Sequence, residues 1–240
     1  MKYLAVVSYD GSKYHGFQRQ TNANGIQSVI EKALKLMTQT EIKIHSAGRT
    51  DKGVHALGQV FHFESSLDIE PETWLRAVND RLPLDIRILS IKIVKQEFHA
   101  RHNAKTKVYR YVIAKKPSTV FTQNYEVYVP NLNIDFVKKA LPFLEGTHDF
   151  KGFCQHVKGK ATLKTIYAAK LKETKTHYVF TFHGNGFLKY MVRSMMGTLI
   201  EIGISKKDPT VIKAILETQD RSLAGKTADA RGLFLVRISY

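Results

Sequence analysis

The sequence predicts an α+β fold of two units, each with helices on one face of a mostly antiparallel sheet. Three observations lead there. Strand-like segments and helical apolar stripes are mixed in both halves of the chain. They come in a similar order in each half, without a visible repeat. No low-complexity tract or obvious linker separates the halves, so they are expected to share a continuous sheet or a tight cleft, where a ligand would sit.

The first unit is expected to span residues 1–105. Tyr3 to Tyr9 reads as a strand ended by the turn Asp10-Gly11-Ser12. Ile26, Val29, Ile30, Ala33, Leu34 and Met37 recur at helical spacing. Ile42 to Ala47 and Gln59 to Phe63 read as strands flanking a glycine-bracketed loop. Pro71 suits the first turn of a helix that buries Trp74, Leu75 and Val78. Ile86 to Val94 is a further strand. The second unit, 106–240, begins with a strand at Val108 to Ile113. A helical stripe follows at Ile134, Val137, Ala140, Leu141 and Leu144, stopping at Gly146. Lys164 to Leu171 and His177 to Phe182 read as strands. Phe187 to Leu199 reads as a strongly apolar helix, and Gly232 to Ile238 as the last strand.

With 240 residues, 43% of them hydrophobic, the chain can bury a real core. No apolar run approaches the roughly 18 residues of a membrane span. The segment Met1 to Val7 turns polar too quickly for a secretory signal. One cysteine, Cys154, excludes an internal disulfide, argues against a cysteine-built zinc site and points to a reducing cytoplasm. The net charge of +16 points to a polyanion partner; a solvated basic surface is the plain alternative. Basic, aromatic and histidine side chains interleave from His99 to Tyr111, a composition suited to nucleic acid.

The segment from Ser46 to Ala56 holds the chemistry. It sets one carboxylate, Asp51, between Arg49 and Lys52 in a turn bracketed by Gly48 and Gly53. The plain reading is an Asp-x-Gly turn. Cations facing Asp51 would keep it ionised, which suits a nucleophile or a stabiliser of developing positive charge. Arg193, within an apolar helix, either snorkels at its edge or pairs with a buried carboxylate. Tyr109 and Tyr111 share a strand face, for core packing or for stacking on a base. Arg101, Lys105 and Lys107 are candidate phosphate contacts. No zinc spacing, phosphate-binding glycine loop, nucleophile elbow or nucleotide-cofactor fingerprint is present. His148, Asp149, Cys154 and His156 lie near one another but make a weak metal candidate. A metal-dependent nuclease would need clustered carboxylates, whereas Asp51 has no acidic neighbour in sequence. A non-catalytic RNA-binding protein would not explain a carboxylate set among cations.

The segment Gly48-Arg49-Thr50-Asp51-Lys52-Gly53-Val54-His55-Ala56, with Gly58-Gln59-Val60, resembles the signature of the tRNA pseudouridine synthase A family. The likeness covers nearly the whole chain. It includes Tyr9 to Gln20, Phe98-His99-Ala100-Arg101, Tyr109-Arg110-Tyr111, Gly146 to Phe150, Phe187 with Met191-Val192-Arg193, and Gly232-Leu233. The resemblance implies a pseudouridine synthase fold: two similar ferredoxin-like or RRM-like subdomains around a central basic cleft. It implies a cofactor-free, metal-free cytoplasmic isomerase, a homodimer, acting on uridines 38, 39 and 40 of the tRNA anticodon arm. Asp51 falls on the catalytic aspartate, Tyr109 on the base-contacting tyrosine and Arg193 on the arginine paired with the aspartate. Leu233 falls on the apolar residue under the target base. Arg49 falls on the arginine that replaces the flipped base. Phe17, Lys52 and Lys164 depart from the usual tryptophan, alanine and arginine. Lys52 adds positive charge beside Asp51 and is counted with the substrate-binding residues. Lysine at 164 cannot copy a bidentate arginine contact.

Overall fold

The computed structural model describes residues 1–21, 23–155, 159 and 161–240. The chain forms two compact units, one of Met1–Lys105 with Phe234–Tyr240, the other of Thr106–Leu233. The last strand, read from sequence with the second half, therefore lies mostly in the first unit.

In the first unit, β1 (Lys2–Tyr9) pairs antiparallel with β3 (His55–Glu64) and with β4 (Ile86–Val94). Strand β2 (Ile44–Ser46) pairs antiparallel with the far end of β3. Strand β10 (Leu233–Ser239) runs parallel to the start of β3, with Phe234 opposite His55 and Leu235 opposite Ala56. That pairing explains why a C-terminal segment belongs to the N-terminal unit. The alternation of β1 points Tyr3 to one face, where its ring stacks on Phe63 at 5.2 Å and meets Trp74 of helix α2 (Pro71–Asn79) at 5.5 Å. The opposite face carries a smaller apolar cluster of Leu4, Ala47, Val60 and Ala100, with Phe98, Ile238 and Tyr240 against it.

Helix α1 (Ile26–Thr38) buries Ile26, Ile30, Ala33 and Leu34 as expected, but also Gln27 and Glu31, while Val29 and Met37 are only partly buried. The stripe is rotated because Glu31 has partners inside. Its carboxylate accepts from Gln27 Nε2 at 2.9 Å and from the backbone N–H of Ile44 at 3.1 Å, and pairs with Arg19 at 3.1 Å. A buried carboxylate is tolerable when satisfied in this way. It ties α1 to the start of β2, just ahead of the Asp51 loop. Asn79 does similar work at the end of α2, exchanging two 2.9 Å hydrogen bonds with the backbone of Ile88.

In the second unit the strands run in the order β5 (Thr106–Ala114), β9 (His177–Gly184), β8 (Leu163–Glu173), β7 (Gly146–Asp149), all antiparallel neighbours. The short strand β6 (Val127–Tyr128) adds parallel to β5. The expected stripe from Ile134 to Leu144 is interrupted. Helix α3 covers Ile134–Ala140, then tightens to a 3-10 turn at Leu141–Leu144, where Pro142 supplies no N–H. The apolar helix is displaced as well. Helix α4 spans Met191–Gly203 and leaves Phe187 and Leu188 in the preceding loop, because Tyr190 takes a left-handed φ of 63°. Helix α5 (Val211–Thr218), β6 and β7 were not foreseen from the sequence. Met191, Met195, Met196, Leu199 and Ile202 of α4 are buried. Tyr111, Phe180 and Phe182 on the sheet are fully buried too.

Among the described residues, no helix is long and apolar enough to cross a membrane.

His62, on β3, is buried, and its Nδ1 accepts the backbone N–H of Ala100 at 3.2 Å. Burial, aided by the nearby His45, His99 and Lys2, lowers this imidazole from 6.5 to about 4. Between those values the unfolded chain holds a proton that the folded chain refuses, so stability present above about pH 6.5 is lost as pH falls towards 4. His62→Asn keeps an acceptor for Ala100 and removes the titration. Its melting temperature should fall less steeply than that of the parent as pH drops through this window; equal slopes would refute the assignment.

Candidate active site

The Asp51 loop is the connection between β2 and β3, and its seat is built from main chain. The turn closes through the backbone carbonyl of Asp51, which accepts the N–H of Val54 at 3.1 Å. Gly53 takes a φ of 77° and donates to the Tyr14 carbonyl at 3.3 Å; Phe17 donates to the Thr50 carbonyl at 3.2 Å. The segment from Gly11 to Phe17 thus lies directly against the loop. Two glycines permit the approach. A Cβ at Gly11 would sit 2.0 Å from the Val54 carbonyl oxygen. One at Gly16, whose φ is 89°, would sit 2.5 Å from that of Thr50.

Side chains lock the same loop. The hydroxyls of Tyr9 and Thr50 are 2.7 Å apart, and Gln59 Nε2 donates to the Gly48 carbonyl at 2.9 Å. Burial pushes the Tyr9 hydroxyl well above its ordinary range, so it stays protonated. Tyr14 reaches across to Asp85 at 2.7 Å. Phe17, which departs from the usual tryptophan, is fully buried with its ring 6.0 Å from Tyr9.

Asp51 itself is half-buried, and Lys52 is exposed. Arg49 is exposed, with its Nε donating to Gln18 Oε1 at 3.0 Å. Arg101 and Lys105 are exposed on the segment that leads out of the first unit; the backbone N–H of Lys105 is held by the Ser239 carbonyl at 2.8 Å. Gln18, Gln59, Tyr14 and Asp85 were not singled out from sequence as loop supports. All but Asp85 lie in the quoted motifs, but their role depends on chain crossings that spacing does not reveal.

The second unit carries the other candidates. Lys107, Tyr109 and Tyr111 alternate on β5. Tyr111 is core: it is fully buried, and its hydroxyl donates to the Asp229 carbonyl at 2.9 Å. Tyr109 is 9% exposed and meets the ring of Phe187 edge-on at 5.0 Å. Lys107 is partly buried opposite Gly184. Leu233 is buried where a 3-10 turn (Ala230–Gly232) passes into β10. Lys164, on β8, is partly buried and faces His148 across the β7 pairing.

Arg193 is partly buried in the first turn of α4. Its Nε donates to the Ala228 carbonyl at 2.7 Å, and its guanidinium lies 5.5 Å from the centre of the Tyr190 ring. The Ala228 N–H returns a bond to the Arg193 carbonyl at 3.0 Å. Further along α4, Thr198 accepts from Gly225 at 2.9 Å and Glu201 from Lys226 at 2.8 Å. The irregular segment 224–228 is therefore laced along α4, and that lacing holds the Arg193 side chain.

Among the described residues no three His, Cys, Asp or Glu side chains form a metal-binding group. His148 bonds the Glu145 carbonyl, Asp149 caps the turn at Lys151, and His156 lies outside the described residues.

The family model for tRNA pseudouridine synthase matches residues 5–103 and 140–240. A protein named tRNA pseudouridine synthase A from Onion yellows phytoplasma (strain OY-M) is 42% identical over 99% of this chain and 98% of its own length. One from Phytoplasma mali (strain AT) is 43% identical over 99% of this chain and 98% of its own. One from Streptococcus thermophilus (strain CNRZ 1066) is 42% identical over 100% of this chain and 99% of its own. With both halves matched and full-length relatives well above 30% identity, the chain belongs to the tRNA pseudouridine synthase family.

Proposed function

We propose that this isomerase converts uridine to pseudouridine in the anticodon arm of tRNA, at positions 38, 39 and 40, with Asp51 as its essential group. The observation that carries the reading is the seat of the Asp51 loop: a half-buried carboxylate fixed by main-chain contacts in a chain of net charge +16. A carboxylate repels phosphate, so one held between Arg49 and Lys52 in such a chain is read as a group that does chemistry.

The reaction breaks the N1–C1′ bond, turns the base and joins C5 to C1′; C5 loses a proton and N1 gains one. Atoms are conserved, so no cofactor is needed. The target base must first leave the stack, at about a few kcal/mol. Phosphate contacts by Arg101, Lys105 and Lys107 offset this cost. Asp51 attacks C1′ or the base, or promotes loss of the 2′ proton to form a glycal. Tyr109 contacts the base and assists proton removal from C5, and Leu233 packs beneath it. Arg193 keeps Asp51 charged and oriented. Arg49 fills the gap left in the RNA, and Lys52 adds positive charge beside Asp51. The same reading makes the enzyme a cytoplasmic homodimer whose tRNA touches both subunits. Its support is the family's motifs, present in order along the chain.

Three outcomes are expected. Asp51→Asn should lower turnover by roughly 10³-fold or more while changing tRNA binding little. Carbodiimide labelling of tRNA after reaction in EDTA reads the first quantity, and a near-parental rate would rule out Asp51. Arg193→Lys loses the Nε bond to Ala228 and the planar fork, so kcat should fall about 10- to 100-fold with KM nearly unchanged. Gly16→Ala forces a Cβ onto the Thr50 carbonyl at an unfavourable φ, so it should cost about 1–3 kcal/mol by thermal melting and also lower kcat. Loss of stability with kcat intact would separate the glycine from the active site.

A further inference from the structure

Four imidazoles lie in contact on the first unit, and none of them belongs to the Asp51 loop or to the supports described for it. His45 on β2 and His62 on β3 are direct cross-strand partners, their rings stacked at 5.0 Å. His99 meets His62 edge-on at 4.7 Å and His45 at 6.1 Å, and His102 continues the row at 4.3 Å from His99. The two ends, His45 and His102, are exposed, and so is Arg101 between the last two.

The middle rings are fixed in one tautomer by the backbone. His62 Nδ1 accepts the N–H of Ala100 at 3.2 Å. His99 Nδ1 accepts the N–H groups of Arg101 and His102 at 3.2 and 3.4 Å. The proton of each neutral ring therefore sits on Nε2, and adding a second at Nδ1 would break the turn. Burial lowers both rings' affinity for it, and the facing Lys2, Arg101 and imidazoles of His45 and His102 add to the effect. Glu64 is the acid that faces the row, and it is engaged by Lys2 at 3.1 Å. Among the described residues, no ion pair joins Arg101, His45, His99 or His102 to a carboxylate. The row thus holds a guanidinium, two fixed N–H donors and two exposed rings able to gain a proton, all lacking an anion.

We propose that His45, His62, His99 and His102 with Arg101 form a binding surface for the RNA phosphodiester backbone, which takes up protons as tRNA docks. The identity of the anion rests on the tRNA-modifying reading above; the site itself does not involve Asp51. A phosphate supplies the missing negative charge, accepts from the Nε2–H groups of His62 and His99, and favours protonation of His45 and His102. Binding then tightens as pH falls through the imidazole range, beyond the uniform pull of net charge.

The test is tRNA binding, not turnover. Dissociation constants of an unmodified tRNA transcript would be measured at fixed ionic strength from about pH 8 to about pH 6, for the parent and for His45→Gln/His102→Gln. Both positions are exposed and make no side-chain hydrogen bond in the described structure, so the fold should survive; the circular-dichroism spectrum and melting curve check that. The expected result is roughly tenfold tighter binding for the parent over this range and less than about threefold for the double variant, with equal affinities near pH 8. Equal pH slopes in the two proteins, or a flat slope in the parent, would overturn the proposal. Asp51→Asn as the background keeps the tests separate: its turnover reports on the catalytic reading, its binding slope on this surface.

Discussion

Asp51 depends on a close approach of two stretches of main chain. The segment from Gly11 to Phe17 lies against the loop from Thr50 to Val54 with no room for a Cβ at Gly11 or Gly16. Backbone hydrogen bonds between them, from Gly53 to Tyr14 and from Phe17 to Thr50, cross this contact. Backbone-to-backbone seating has no rotamer freedom to lose, so it fixes the point of the chain from which Asp51 projects. The supports around it follow from the same crossing. Glu31 joins α1 to β2, Tyr9 joins β1 to Thr50, and Gln59 joins β3 to Gly48.

The second unit solves a similar problem in another way. Arg193 sits in the first turn of a helix, whose own hydrogen bonds cannot fix a long side chain. A neighbouring irregular segment does so instead, with Ala228 exchanging bonds with both the side chain and the backbone of Arg193. The helix starts only after the left-handed Tyr190, and that start places the Tyr190 ring beside the guanidinium. A non-glycine residue in the left-handed region costs free energy and persists because the surrounding packing over-determines it.

Charge is divided along the same lines. Several of the few carboxylates are committed to structural work: Glu31 to α1 and β2, Glu64 to Lys2, Glu126 to Thr122 and His177, Glu173 to Lys115. Arg101 and the two end histidines, His45 and His102, are left facing solvent without such partners among the described residues, which suits a surface that meets a polyanion.

The sequence by itself determined most of the regular elements and the candidate residues. Strands β1, β4, β5, β8 and β9 were legible because period-two burial is local, and Asp51 stood out because its neighbours in sequence are cations. Tertiary structure decided the rest. The start of α4 moved because a left-handed residue has no periodic signature, and α3 broke at a proline that the apolar stripe concealed. Glu31, outside the apolar stripe, is buried because β2 offers it an N–H. The last strand joined the first unit because its partner, β3, lies nearly 180 positions earlier, as in Phe234 opposite His55. Periodicity reports which face of an element is apolar. Only chain crossings decide which element that face meets, and here those crossings hold Asp51 and Arg193 in place.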